Sequence, residues 1–119
     1  MGDFRQLRVW QRGHQLTLPV YEATRTFPKE ELFGLTIQMR RSCASIPTNI
    51  AEGCGRNSDP ELARFLRTAM GSANELDYQL LLARDLGYLD ASMHDRLTGE
   101  VRELNSMLST LIQKLIADS

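Results

Sequence analysis

Cysteine is scarce in this chain: Cys43 and Cys54 are its two thiols. A disulfide framework is therefore excluded. If both lie on one helix they sit about 16 Å apart, beyond the reach of an intrachain bridge. Lone thiols suit a reducing compartment, and a cytoplasmic location is expected. Cys43 falls on an apolar face and reads as a small core residue, whereas Cys54 lies near a helix end where partial exposure is expected. Histidine is as rare. His14 and His94 fall on different helices, so there is no cysteine–histidine spacing of the zinc type and no Glu-x-x-His pair of the di-iron type. No glycine-rich loop leads from a strand into a helix; Gly53-Cys54-Gly55 closes a helix instead. These absences leave no catalytic constellation, no metal site and no cofactor, and the expectation is a protein that is not an enzyme. Also missing is any apolar run near the roughly 20 residues of a membrane span. The first residues are polar and Arg-bearing, so no signal peptide is expected, and Gln6 stands where a myristoylation site needs Ser or Thr. Strand signals, internal repeats and low-complexity segments are absent too.

What is present is the composition of one ordinary folded domain over 1–119, with 42% hydrophobic and 24% charged residues. The net charge of −1 hides an asymmetry. Residues 1–67 hold ten basic and seven acidic residues, a net of +3, and residues 68–119 hold four and eight, a net of −4. Of the 14 basic residues, twelve are arginine. The planar guanidinium fork suits phosphate or carboxylate, although base composition of the gene gives the same bias.

Apolar spacing predicts four helices. Helix one spans about Arg8–Thr26, with Leu7, Trp10, His14, Thr17 or Leu18, Tyr21 and Thr24 on one face; Pro19 predicts a bend or local break, and Phe27-Pro28 ends it. Helix two spans about Glu31–Cys54 along Leu32, Thr36, Met39, Cys43, Ile46 and Ile50. Pro47 interrupts it, predicting a kink and freeing the carbonyl of Cys43, for which Ser45, Thr48 and Asn49 are at hand. Gly53 and Gly55 supply its end. Helix three follows a cap at Ser58 or Asp59 with Pro60 in its first turn. Its seam is Leu62, Leu66, Ala69, Ala73, Leu76, Leu80 and Ala83, and Gly87 closes it. Helix four follows Asp90 along Leu97, Val101, Leu104, Leu108, Leu111 and Leu115, with Met93, Met107, Ile112 and Ile116 widening the stripe. Short connections predict an all-α, antiparallel up-down-up-down four-helix bundle.

Two polar constellations stand out. Arg40, Arg41, Asn49, Glu52, Arg56, Arg64, Arg67, Glu75 and Asp77 cluster on helices two and three. They read either as a paired polar layer fixing helix register, with Asn49, Glu52 and Glu75 at its centre, or as an arginine cluster that meets phosphate. In the N-terminal segment, Arg5, Arg8 and Arg12 share a face near Trp10. They read either as a solvated face beside a core tryptophan or as an RNA grip combining phosphate contact with stacking.

The ordered motifs Arg8-Val9-Trp10-Gln11, Phe27-Pro28, FGLTIQMRRSCASIPTNIAEGCGR and ELARFLRTAMGSANELDYQLLLARDLGYL span most of residues 4–115. Together they resemble the small bacterial four-helix-bundle proteins named for genes in intervening sequences of 23S ribosomal RNA. Pro19 and Cys54 depart from that pattern. The resemblance implies the up-down bundle, assembly as a homopentameric ring, and similarity in fold to the accessory protein of diversity-generating retroelements. It implies no established molecular function. Two readings follow: a self-associating accessory of structured RNA or a ribonucleoprotein, and a protein-interaction scaffold that touches no nucleic acid. Self-association is expected from the residues as well, because one bundle cannot bury Trp10, Tyr21, Phe65, Tyr78 and Tyr88 together with the extra Ile and Met side chains.

Overall fold

Helix-capping chemistry sets the element boundaries in the computed structural model, which describes residues 2–118. A 3₁₀ turn at Phe4–Gln6 precedes α1 (Arg8–Thr24). A 3₁₀ turn (Lys29–Glu31) and a π turn (Leu32–Thr36) lead into α2 (Ile37–Cys54), followed by α3 (Asp59–Asp85) and α4 (Ala91–Asp118). Ser58 is the N-cap of α3, its Oγ accepting from Glu61 N at 3.3 Å. Asp90 Oδ1 accepts from Met93 N at 2.7 Å at the start of α4. At the end of α3, Gly87 takes φ +80°, and Tyr88 N and Gly87 N donate back to Ala83 O and Arg84 O. That is the glycine-closed helix end for which a β-carbon would be strained.

The helices lie antiparallel to their chain neighbours, as the order of cross-contacts shows. Along α2 and α3, a Cβ on Gly53 would meet Leu62, Ser45 meets Ser72, and Ser42 meets Glu75. Along α3 and α4, Asn74 meets Asn105 and Asp77 meets Arg102. Along α1 and α2, Thr17 meets Cys43 and Thr24 meets Arg40. In every case residue numbers rise on one helix as they fall on the next. The seams predicted for α3 and α4 close around one core that includes Leu66, Leu76, Leu80, Leu97, Leu104 and Leu108. The α2 stripe joins it from Met39 through Ile50. The molecule measures 46 × 22 × 19 Å, and its longest helix, at 28 residues, spans about 42 Å of that length at 1.5 Å per residue.

Four sequence expectations are corrected. The face α1 buries is Val9, Gly13, Leu16, Val20 and Thr24, displaced by one position along much of the helix from the Trp10–His14–Tyr21 stripe. Gly13 is the reason. It has no side chain to register as apolar, yet a Cβ there would sit 3.3 Å from Ile46 Cγ2, so α1 turns this face to α2 for close approach. α1 also runs without a break through Pro19. In the second region the break lies at Gly34 (φ −113°, ψ −114°), ahead of α2; Leu35 is buried there and Leu32 is exposed. Cys54 is buried rather than partly exposed, because Gly53 brings the end of α2 against Leu62 and Phe65.

α2 continues through Pro47. The carbonyl of Cys43, which loses its donor to the proline, lies 3.4 Å from Thr17 Oγ1 of α1. Thr48 and Asn49 instead donate to Ala44 O and Ser45 O at 2.7 and 2.8 Å. The partner thus comes from the neighbouring helix rather than from α2 itself.

Candidate functional site

The N-terminal arginines do not form one helical face. Leu7 is extended (φ −82°, ψ 130°), so Arg5 belongs to the 3₁₀ turn and Arg8 opens α1. Arg5 lies over the Phe4 ring at 4.4 Å and pairs with Asp3 at 3.2 Å. Asp3 is drawn below the ordinary carboxylate value, first by the backbone N–H of Arg5. Arg12 reaches across to α4 and pairs with Glu103 at 2.9 Å. That bond holds the Glu103 carboxyl below its usual value and raises the guanidinium further. Arg12 is thereby an α1–α4 strut. Arg8 is exposed, and its side chain makes no hydrogen bond or ion pair among the described residues, but its charge also helps to lower the Glu103 carboxyl.

Trp10 is half-buried rather than a core residue, and it organises an aromatic ladder. Phe4 meets it edge-on with centroids 4.9 Å apart, and His14 stacks on it at 5.2 Å with planes 7° apart. These rings line a shallow cavity of about 400 Å³ against Pro47 and Thr48.

On α2 and α3 the expected arginine cluster divides. Arg40 is a clamp on α1: its Nε donates to Thr24 Oγ1 at 2.9 Å and its guanidinium covers Tyr21 at 4.9 Å. Arg56 and Arg64 pair with Glu52 and Glu61 at 3.2 and 3.0 Å, and both lie over the Phe65 ring at 5.0 and 4.5 Å. Arg64 holds the Glu61 carboxyl below its usual value. Exposed pairs of this kind are screened by water and add little to stability. Their role here is to tie the α2–α3 corner. Arg41 and Arg67 are exposed and have no partner among the described residues.

The expected central layer of Asn49, Glu52 and Glu75 is not a buried ionic layer. Glu52 and Glu75 are exposed, and they belong to different parts of the seam. In its place runs a seam of hydroxyls and amides. Ser45 Oγ and Ser72 Oγ are 2.8 Å apart, Asn49 Nδ2 donates to Ser45 Oγ at 2.9 Å, and Ser42 Oγ donates to Glu75 Oε2 at 3.4 Å. Gln79 ends the strip, buried, with Oε1 lacking any donor. Sequence reasoning missed this seam because it followed charges. Its signal was the three-and-four spacing of Ser42, Ser45 and Asn49 on α2 and of Ser72, Glu75 and Gln79 on α3.

Among the described residues no three His, Cys, Asp or Glu side chains are grouped to hold a metal ion. The Cys43 thiol is pushed up to about 12 by burial and is not a thiolate near neutral pH. Among them, too, no helix is long and apolar enough to cross a membrane.

The family model of the 23S rRNA-intervening sequence protein matches residues 5–110. A crystal structure of a protein of unknown function from the S23 ribosomal protein family of Bacteroides thetaiotaomicron is similar in fold. Its TM-score is 0.81 at 23% identity, covering 87% of this chain and 97% of that one. No curated protein matches the sequence.

Proposed function

The chain belongs to the 23S rRNA-intervening sequence protein family, and from that premise we propose that it acts as a non-enzymatic, self-associating bundle that accompanies structured RNA or a ribonucleoprotein in the cytoplasm. The observation that carries this reading is the division among its arginines. Arg12, Arg40, Arg56 and Arg64 are engaged in holding helices together. Arg8, Arg41 and Arg67 are exposed with no such duty among the described residues, and Arg5 stands beside the Phe4–Trp10 ladder. Exposed guanidinium groups, one of them beside the half-buried Phe4 and Trp10 rings, suit phosphate contact and base stacking. In a ring of copies, modest charge per subunit adds through multivalency. The pentamer itself is carried over from the resemblance.

A gel shift of the intact protein with a structured RNA tests the reading. Binding that weakens steeply with salt is expected, and charge reversal at Arg5 and Arg8 weakens it further. No shift at low salt overturns it. The scaffold reading draws on a different surface: Leu32, Phe33 and Leu86 are exposed large apolar side chains. A nuclease-insensitive protein partner, lost on Phe33→Ser, favours that alternative. Light scattering that shows a stable monomer at micromolar concentration removes the self-association.

A further inference from the structure

The α2–α3 seam opens into a cleft of about 300 Å³ whose lining contains no aromatic side chain. Its wall carries the Ser45–Ser72 hydroxyl contact and the amide of Gln79, which is 8% exposed. Arg41 and Glu75, on different helices, line it as well. Neither stands within salt-bridge distance of an opposite charge among the described residues. Glu75 receives one long bond, from Ser42, and Gln79 Oε1 receives none. A buried acceptor left without a donor carries its full desolvation cost, so such a group calls for an explanation. The last torsion of a glutamine is broad and two-fold, and a half-turn brings its oxygen round toward the opposite side.

With the amide so turned, the cleft offers two acceptors, one cation without a paired anion, and hydroxyls between them. A bare phosphate satisfies Arg41 but is repelled by Glu75 and leaves Gln79 empty. A guanidinium satisfies Glu75 and Gln79 but is repelled by Arg41. A flat base finds no ring to stack on. A ribose with its phosphate meets the cation and the amide: the one free hydroxyl of an RNA sugar donates to Gln79, while Glu75 keeps its bond from Ser42. We infer that the Arg41–Glu75–Gln79 cleft binds one sugar–phosphate unit of RNA, the 2′-hydroxyl donating to Gln79 and the phosphate lying on Arg41. The inference rests on the RNA reading above and adds to it a means of telling RNA from DNA, because the 2′-hydroxyl is what separates the two.

Fluorescence anisotropy with the full chain tests it, using one hairpin sequence as RNA, as DNA and as 2′-O-methyl RNA, with AMP as a free-nucleotide arm. RNA is expected to bind roughly tenfold tighter than the other two, the worth of about one hydrogen bond. Gln79→Met should bring RNA down to the DNA level. Melting should hold or rise in Gln79→Met, which removes an unpaired acceptor at similar volume. Arg41→Gln should weaken all three hairpins alike and reduce the salt slope by about one. Equal binding of RNA and DNA overturns the cleft and leaves the RNA reading standing; no binding of any hairpin overturns both. An RNA preference unchanged in Gln79→Met also overturns the cleft. So does AMP binding that these variants abolish while hairpin affinity stays the same, which makes the ligand a free nucleotide. Loss of self-association in Gln79→Met or Glu75→Gln places a second copy of the chain in the cleft and overturns the inference as well.

Discussion

The two sides of α2 solve the same problem differently. Toward α1 the helices meet through backbone: Gly13 lets α1 close on Ile46 and Pro47, and the carbonyl deprived by Pro47 has Thr17 Oγ1 beside it. Toward α3 the helices are also close, Gly53 resting on Leu62 and Phe65 at the end and Ser45 Oγ lying 2.8 Å from Ser72 Oγ in the middle. That middle is bridged by hydroxyls and leaves Gln79 Oε1 without a donor. The first side has a shallow cavity beside Trp10 and Pro47 but leaves no buried polar side chain unpaired among the described residues. The second is open and carries an unmet polar demand. A helix that serves only stability has no reason to differ in this way, because an apolar seam of the same volume costs less than a half-satisfied polar one.

The contrast can be broken by substitution, and the largest effect should come from the side facing α1. Ile46→Ala removes a fully buried side chain that contacts the Gly13 position. It should destabilise by about 2–5 kcal/mol in denaturant titration. Next comes Gly53→Ala. The new Cβ would stand 2.9 Å from both Leu62 Cδ1 and Phe65 Cβ, and overpacking of this kind costs about 1–3 kcal/mol. The same change at Gly13 meets its nearest neighbour at 3.3 Å. Relief of glycine's helix cost, roughly 1 kcal/mol, should offset most of that crowding. A smaller loss at Gly13 than at Gly53 is therefore the outcome that sharpens the comparison, and the reverse order breaks it.

Thr17→Val probes the same side more gently. It removes the hydroxyl that lies 2.9 Å from Gly13 O and 3.4 Å from Cys43 O. The expected loss is about 1 kcal/mol, readable as a lowered melting temperature. The smallest effect belongs to the Arg12–Glu103 strut between α1 and α4. Its folded carboxyl titrates below its unfolded value. Its contribution is thus fully present above the ordinary glutamate range and is lost as pH falls through the lowered folded value. Glu103 is exposed, so a double-mutant cycle should return the smallest coupling of these tests. That coupling should fade on acidification while the Ile46 effect does not.

Much of this was legible in the chain alone. The seams of α3 and α4 stand in the structure as their leucine spacing predicts, because an uninterrupted three-and-four repeat admits one buried face. Ser58, Asp90 and Gly87 mark helix ends through local chemistry, which needs no tertiary partner. The face of α1 was not legible, since Gly13 contributes closeness rather than hydrophobicity. The arginines were legible as a group but not as individuals: spacing puts Arg12 and Arg8 on one helix, yet Glu103 on α4 takes its hydrogen bond from Arg12 and feels Arg8 only through its charge.

The sequence by itself determined that four helices form, where most of them end, and most of the leucine seam of α3 and α4, because these depend on residues within a turn or two of one another. Only the tertiary structure decided which polar groups are spent on stability and which stay available. The partners of Arg12, Arg40, Cys43 O and Ser45 lie between 16 and 91 positions away along the chain, and no local pattern encodes which strangers a bundle brings face to face.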